Sequence, residues 1–455
     1  MRRFPKGALV RRQVRRHLNR AGAVALVAAG ALLWCCVGEP RCGCDAGPEW
    51  TAPADASHGT PGACSVHWWS KLGEPTLDRD DLADQARTLG YTCPKAPADY
   101  QRVLSSEELA ARAPEEREAW ARQVFDLAAD VLLDEAGDTV CAAPTWKPGP
   151  QGVTAGDGVL RYDGTFGVGD GARVPAYLLL PLVSAGAPFA PRAAAVVIHG
   201  HDGGRIEVVE RPEGYQKAMA LRLAQAGYVV LAADNVSWGT HHPLGSRKPN
   251  HGKDFALYMK PGSANGLITW NLTDLFHGVT LLAGLHMARN PKADRWEVAP
   301  PGGAGATPAV NAIAVSGLSY GAQVAAYMAL DPRPSAYIVS SGLIDTCDVL
   351  QNDHHKCQLI KPFQGVITIW DLIVANALLE RPRLGLGVGR PAVLVAQGLK
   401  DKILRAWGKH GIEQLQKLSD ALELDTLEVT ISKTEGHTYL VEPTLDFMRR
   451  HLPLP

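Results

Sequence analysis

Three residues of this chain have the side chains and the order needed to transfer an acyl group. Ser319 lies in VSGLSYGA (residues 315–322), a G-x-S-x-G pattern. A serine hydroxyl is a weak nucleophile near neutral pH, so it needs a general base, and the base needs an acid to fix its tautomer. Asp401 follows the apolar run PAVLVAQG, and His437 follows LEVTIS within KTEGHTYL. Each is bland alone, because a short glycine–serine motif, a loop aspartate and a loop histidine are all common. Together they follow in the order Ser, Asp, His, each just after an apolar run, as a nucleophile on a strand–turn–helix requires.

Two backbone N–H groups are expected to hold the oxyanion. One belongs to Tyr320, at the start of the helix that follows the serine. The other belongs to His201 in HGHDGG (residues 199–204), with Asp202 as a further candidate. The His199 and His201 side chains also admit a reading as metal ligands, but no third ligand stands at a suitable spacing. Trp238 and His354 are candidate pocket residues. Trp238 is expected at the rim of the site or packed beneath an insertion. Glu435, beside His437, reads as surface charge. His241, His242, His251, His277, His286 and His355 show no coherent ligand spacing.

These groups require a scaffold, and the patterning supplies one. The short apolar runs AAAVVIHG, VVLAAD, NAIAVSG, SAYIVSSG, PAVLVAQG and LEVTIS read as strands, with helical segments between most of them. Apolar strands alternating with helices imply a mostly parallel sheet covered on both faces. VLRYDGTFGVGDGARVPAYLLLP reads as two strands joined by a glycine-rich turn. ITWNLTDLFHGVTLLAGLHMARNP reads as one long helix ended by Pro291. Upstream, SSEELAARAPEEREAWARQVFDLAADVLL opens with serine and acids and repeats apolar positions at helical spacing. Trp120, Val124, Leu127 and Val131 share one face of it, read as core packing. The domain division expected is a helical extension over 76–150 and a catalytic domain over 151–455, with a cap-like insertion at about 345–390.

The 455 residues are 46% hydrophobic and 20% charged, an ordinary globular composition. Net charge is -1, yet residues 1–20 hold eight of the cations and no acid, so the rest of the chain is mildly acidic. That balance argues against a nucleic-acid partner. The basic start followed by the uncharged run at residues 21–38 reads as a signal peptide or a single membrane anchor, sending the remainder outward. Arg15-Arg16 hints at twin-arginine export. Lipidation of Cys35 or Cys36 is disfavoured by Trp34, where a small residue is wanted. Residues 39–75 read as a Cys/Gly/Pro-rich linker. Export permits disulfides among the nine cysteines, but their connectivity is not legible.

Taken together, VPAYLLLP, HGHDGG, LAQAGYVVLAADNVSWG, SGLSYGA, the SSGLIDTC and HHKC segments, VAQGLKDKI and EGHTYL resemble the α/β-hydrolase superfamily. Within it, the chain looks most like the bacterial esterases grouped with dienelactone hydrolases and acetyl xylan esterases. The resemblance spans roughly residues 155–452. It implies an α/β-hydrolase fold with a sheet of about eight strands, and a Ser319–Asp401–His437 triad. It further implies cleavage of a carboxylic ester on a small-molecule or carbohydrate substrate, with no cofactor and no metal. Dienelactone hydrolases proper use cysteine as nucleophile, so Ser319 favours ordinary ester chemistry. The G-x-S-Y-G elbow also resembles prolyl-oligopeptidase-type peptidases. Those carry a large β-rich domain, where this chain has about 110 residues that read helical. A non-catalytic binding protein on the same fold is the remaining alternative.

Overall fold

The computed structural model describes residues 50–51, 106–132, 144–167, 173–241, 266–343, 368–404 and 406–455. The upstream helical stretch forms two helices, α1 (Ser106–Ala111) and α2 (Pro114–Leu132). The break falls at Pro114, which lacks an N–H and therefore starts a helix instead of continuing one. Trp120 and Val124 are buried and Leu127 packs partly against the core, so the expected face is a core face. The Val131 side chain lies outside the described residues.

The strands in chain order begin with β1 (Trp50–Thr51), β2 (Thr145–Gly156), β3 (Val159–Gly167), β4 (Val174–Pro181), β5 (Arg192–Ile198) and β6 (Val229–Ala233). Three short ones follow, β7 (His286–Asn290), β8 (Arg295–Ala299) and β9 (Thr307–Pro308), and then β10 (Val310–Leu318) and β11 (Ala336–Ser340). The last are β12 (Arg381–Arg383), β13 (Gly387–Gly389), β14 (Ala392–Gly398) and β15 (Leu427–Ser432). Ten of them form the central sheet, in the spatial order β1-β2-β3-β4-β6-β5-β10-β11-β14-β15. Pairing is antiparallel from β1 to β6 and parallel from β6 to β15. This is the α/β-hydrolase arrangement, with more edge strands than the eight implied by resemblance. One of them, β2, starts inside the segment expected to be helical and runs across the boundary drawn at 150/151.

The parallel strands β5, β6, β10, β11 and β14 are buried along nearly their whole length because helices cover both faces. On one face lie α3 (Arg205–Val209), α4 (Met219–Gln225) and α9 (Val441–His451). On the other lie α2, α5 (Gly266–Ala283), α6 (Tyr320–Tyr327), α7 (Ile369–Leu378) and α8 (Ala406–Leu422).

Two expectations are corrected. The helix over 268–291 ends early, at Ala283, and His286–Asn290 forms β7. β7 pairs with β8 and β9 in a separate three-stranded sheet. Gly284 is a poor helix former; its N–H closes the last turn on Thr280 (3.0 Å) and the His286 ring takes its carbonyl (2.9 Å). The second concerns the insertion at 345–390. Residues 344–367 lie outside the described residues, but from 368 onward the chain forms α7, buried throughout within the core, and the β12–β13 hairpin. α7 is thus a core element and not part of a cap, while the hairpin carries the exposed Leu386 and Val388.

Candidate active site

β10 runs straight into the turn at Ser319, which caps α6 with φ 61° and ψ -122°. A non-glycine residue held in this region costs about 1–3 kcal/mol and persists only where its surroundings enforce it. Here they do. A Cβ on Gly317 would overlap the Gly321 carbonyl, and one on Gly321 would overlap the Ile198 carbonyl at the end of β5. The Ser319 N–H donates to the carbonyls of Ser341 (2.7 Å) and Ser340 (3.2 Å) at the exit of β11. The first N–H groups of a helix have no intrahelical acceptor, which suits the Tyr320 N–H, first in α6, to an anionic guest.

The acid and base stand on the next two loops. His437 Nδ1–H donates to Asp401 Oδ2 at 2.8 Å. That bond fixes the proton on Nδ1 and leaves Nε2 as the basic nitrogen. Asp401 Oδ2 also accepts from Gln397 Nε2 (3.0 Å), and Oδ1 accepts from the Ile403 N–H (2.8 Å). Burial pushes the Asp401 carboxyl up, but these donors and the facing imidazole outweigh it and hold the group below its ordinary value. The two loops are stitched together: Lys400 N–H reaches the Glu435 carbonyl (2.9 Å) and Leu399 N–H reaches that of Ser432 (2.8 Å). Tyr215 stacks on the His437 ring, with centroids 5.4 Å apart and 19° between planes. Gly342 separates base from nucleophile. A methyl there would lie 2.5 Å from His437 Cε1 and 3.1 Å from Ser319 Cα, so the imidazole and the serine backbone both approach this one glycine.

The HGHDGG loop leaves β5 against the same serine. A methyl on Gly200 would lie 3.1 Å from Ser319 Cβ and 2.6 Å from the Tyr215 hydroxyl. His199 is fully buried. Its Nδ1–H donates to the Gly200 carbonyl (2.7 Å) and its Nε2 accepts the Asn235 N–H (2.9 Å). Burial pushes its pKa down, consistent with this neutral tautomer. Both nitrogens are thus engaged, and the ring braces the loop; it is not available as a metal ligand. Among the described residues no cluster of three His, Cys, Asp or Glu could hold a metal ion. His201 packs edge-on against Tyr320 (5.2 Å) and Trp238 (5.7 Å). Trp238 is 2% exposed and lies 4.7 Å from the Tyr320 ring. It is therefore a wall behind the candidate oxyanion donors and not part of the rim. His354 lies outside the described residues.

Several residues that shape the site went unread in the sequence. Asp234, at the end of β6, accepts from the Arg205 N–H (2.7 Å) and the Thr240 N–H (2.8 Å), and it pairs with the Arg205 guanidinium. It thereby ties the HGHDGG loop to the loop after β6. Asn271 on α5 donates to the Tyr320 hydroxyl (2.7 Å) and accepts from the Val236 N–H (2.6 Å). Gln397, a polar residue in an otherwise apolar strand, was the one with a visible signal.

No protein-family model and no curated protein matches this chain. Among solved structures it is similar to an acetyl xylan esterase from Thermoanaerobacterium sp., at 15% identity and a TM-score of 0.43, over 76% of this chain and 98% of that one. It is similar to a putative acetyl xylan esterase from Bacteroides fragilis, at 13% identity and a TM-score of 0.47, over 84% and 88%. It is similar to a glucuronoyl esterase from Teredinibacter turnerae, at 15% identity and a TM-score of 0.47, over 82% and 99%.

Proposed function

We propose that this chain is an exported serine hydrolase that cleaves carboxylic esters through an acyl-enzyme. The observation that carries the reading is the Asp401–His437 hydrogen bond (2.8 Å), with His437 and the strained Ser319 both lying against Gly342. Ser319 Oγ attacks the ester carbonyl while His437 Nε2 takes its proton. The carbonyl oxygen becomes an oxyanion and is held by the N–H groups of Tyr320 and His201. His437 then returns the proton to the leaving alcohol. In the second half, His437 takes a proton from water, the hydroxide attacks the acyl-serine, and His437 returns that proton to Ser319 Oγ as the C–O bond to serine breaks and the carboxylic acid leaves. Asp401 keeps the imidazole proton on Nδ1 throughout. Export rests on the basic and apolar pattern of residues 1–38.

The test is labelling by a fluorophosphonate, followed by turnover on a chain-length series of p-nitrophenyl esters. The wild-type protein is expected to be labelled and to hydrolyse esters. Ser319→Ala is expected to abolish labelling and lower kcat by about 10⁴-fold or more. Full esterase activity in Ser319→Ala would overturn the reading, and preference for peptides over esters would move it to the peptidase class. Recovery of the protein in the exported fraction tests the localisation.

A further inference from the structure

The acid, the base and the nucleophile stand on three separate loops, after β14, β15 and β10. Something must set their mutual distance, because a shift of about 1 Å in such a constellation is worth orders of magnitude in rate. The exit of β11 lies among the three. Its last residues turn through two successive left-handed conformations, Ser341 (φ 37°) and Gly342 (φ 85°). The Ser341 carbonyl accepts the Ser319 N–H, and the Ser341 hydroxyl donates to the Thr438 carbonyl (2.8 Å), next to His437. This corner therefore already touches the nucleophile and the base. The Ser341 N–H also donates to the Ala396 carbonyl (2.8 Å) in β14, and from there one side chain reaches the acid itself.

That side chain is Gln397, the penultimate residue of β14 and 1% exposed. Its Oε1 accepts the Gly342 N–H (3.1 Å). Its Nε2 donates to Asp401 Oδ2 (3.0 Å) and to the Gly398 carbonyl (3.0 Å). The sense of the amide is forced. Turned over, it would set an NH₂ against the Gly342 N–H and an oxygen against both a carboxylate and a carbonyl. The acceptor it shares matters equally: Oδ2 is the oxygen that receives His437 Nδ1–H. A residue that only filled the core would not need to meet the carboxylate at that atom.

We propose that Gln397 is a positioning residue for ester hydrolysis, its amide holding the Asp401–His437 pair in register with the Ser319 turn through Gly342. The inference rests on the serine-hydrolase reading above. Gln397 acts at both ends of one bridge. The Oε1 end sets where the acid loop lies relative to the β11 corner. The Nε2 end gives Asp401 a further donor, so the carboxylate stays ionised and the imidazolium proton stays on Nδ1 through both half-reactions. The other ionisable groups around the pair are Tyr215, stacked on the imidazole, and Asp202 and Glu207, whose charges act on Tyr215. Lys400, Lys402 and Glu435 are exposed on the pair's own loops.

Two variants test it. Gln397→Met keeps the volume and removes all three hydrogen bonds; kcat is expected to fall by about 10- to 100-fold with KM little changed. Gln397→Glu keeps the acceptor for Gly342 but sets a carboxyl oxygen against Asp401. When protonated, the introduced carboxyl donates as the amide did; when ionised, it repels the acid. The ratio of kcat in Gln397→Glu to wild type is therefore expected to fall as pH rises, a signature that loss of packing cannot produce. The His437 Nδ1–H proton resonance is expected to move in both variants. The readings are made per folded molecule, and Gln397→Glu stands alone if Gln397→Met does not fold. Unchanged kcat and a flat ratio in folded variants, with only a lowered Tm, would overturn the inference and leave the serine-hydrolase reading intact. Wild-type protein inert to both esters and fluorophosphonate would overturn the serine-hydrolase reading first, and this inference with it.

Discussion

Asp401 keeps its charge where burial alone would disfavour it, because three N–H donors converge on its two oxygens. On the serine-hydrolase reading proposed above, the donor from His437 is the one with catalytic consequence. An amide in place of this carboxylate would present its NH₂ to the ring, so the imidazole would carry its proton on Nε2 and lose the lone pair that must accept from Ser319. Asp401→Asn is expected to lower kcat by about 10⁴-fold while the fold and KM change little, measured by steady-state kinetics beside thermal unfolding. A variant within tenfold of wild type would place the orienting charge elsewhere. At this scale the candidate triad was legible, since each member is a chemically distinctive residue just after an apolar run. The bracing residues were less so. The sequence disfavoured His199 as a metal ligand but did not show what it does: its two nitrogens serve the Gly200 carbonyl and the Asn235 N–H.

Elements carry these residues through contacts at strand ends. The last strand, β15, is tied to α9 by Glu428, whose carboxylate takes both guanidinium nitrogens of Arg450 (2.8 and 2.7 Å) and His451 Nε2 (2.8 Å). Burial pushes the Glu428 carboxyl up, and the Arg450 and His451 donors hold it below its ordinary 4.5 overall. A carboxyl whose value is lower folded than unfolded contributes stability above the unfolded value and loses it as pH falls through the folded one. Below pH 4.5 the wild type is therefore expected to lose Tm faster than Glu428→Gln, and the two are expected to converge at lower pH. Parallel Tm–pH curves would show that the tie contributes nothing. One element misread in the sequence was β7. Leu285 and Met287 flank His286, and so short a stretch does not distinguish strand from helix by periodicity alone. Pairing with β8 and β9 decided it.

At the scale of the whole molecule, α2 belongs to the same core as the sheet. Trp120 is 4% exposed and joins the cluster that contains α7 and the face of β10. Trp120→Ala is expected to lower the unfolding free energy by about 3–5 kcal/mol, with kcat per folded molecule unchanged, read by denaturant unfolding and active-site titration. A change under about 1 kcal/mol would mean that α2 is an appendage. The antiparallel edge strands β1 and β2 and the helix α2 add to the core that the motifs outline.

By itself the sequence determined the chemistry available and its order along the chain: a serine between glycines on a strand–turn–helix, then an aspartate, then a histidine. Those are local features, written in residue type and periodicity. Only the tertiary structure decided which residues hold that chemistry in place. Gln397 meets Gly342, Asp234 meets Arg205, and Asn271 meets Tyr320 across 55, 29 and 49 positions of chain. Trp238 turned out to be a wall for the same reason. A hydrogen bond or ring contact of that span leaves no periodic trace in either partner's own segment. It exists only once the strands have been ordered and their ends brought together.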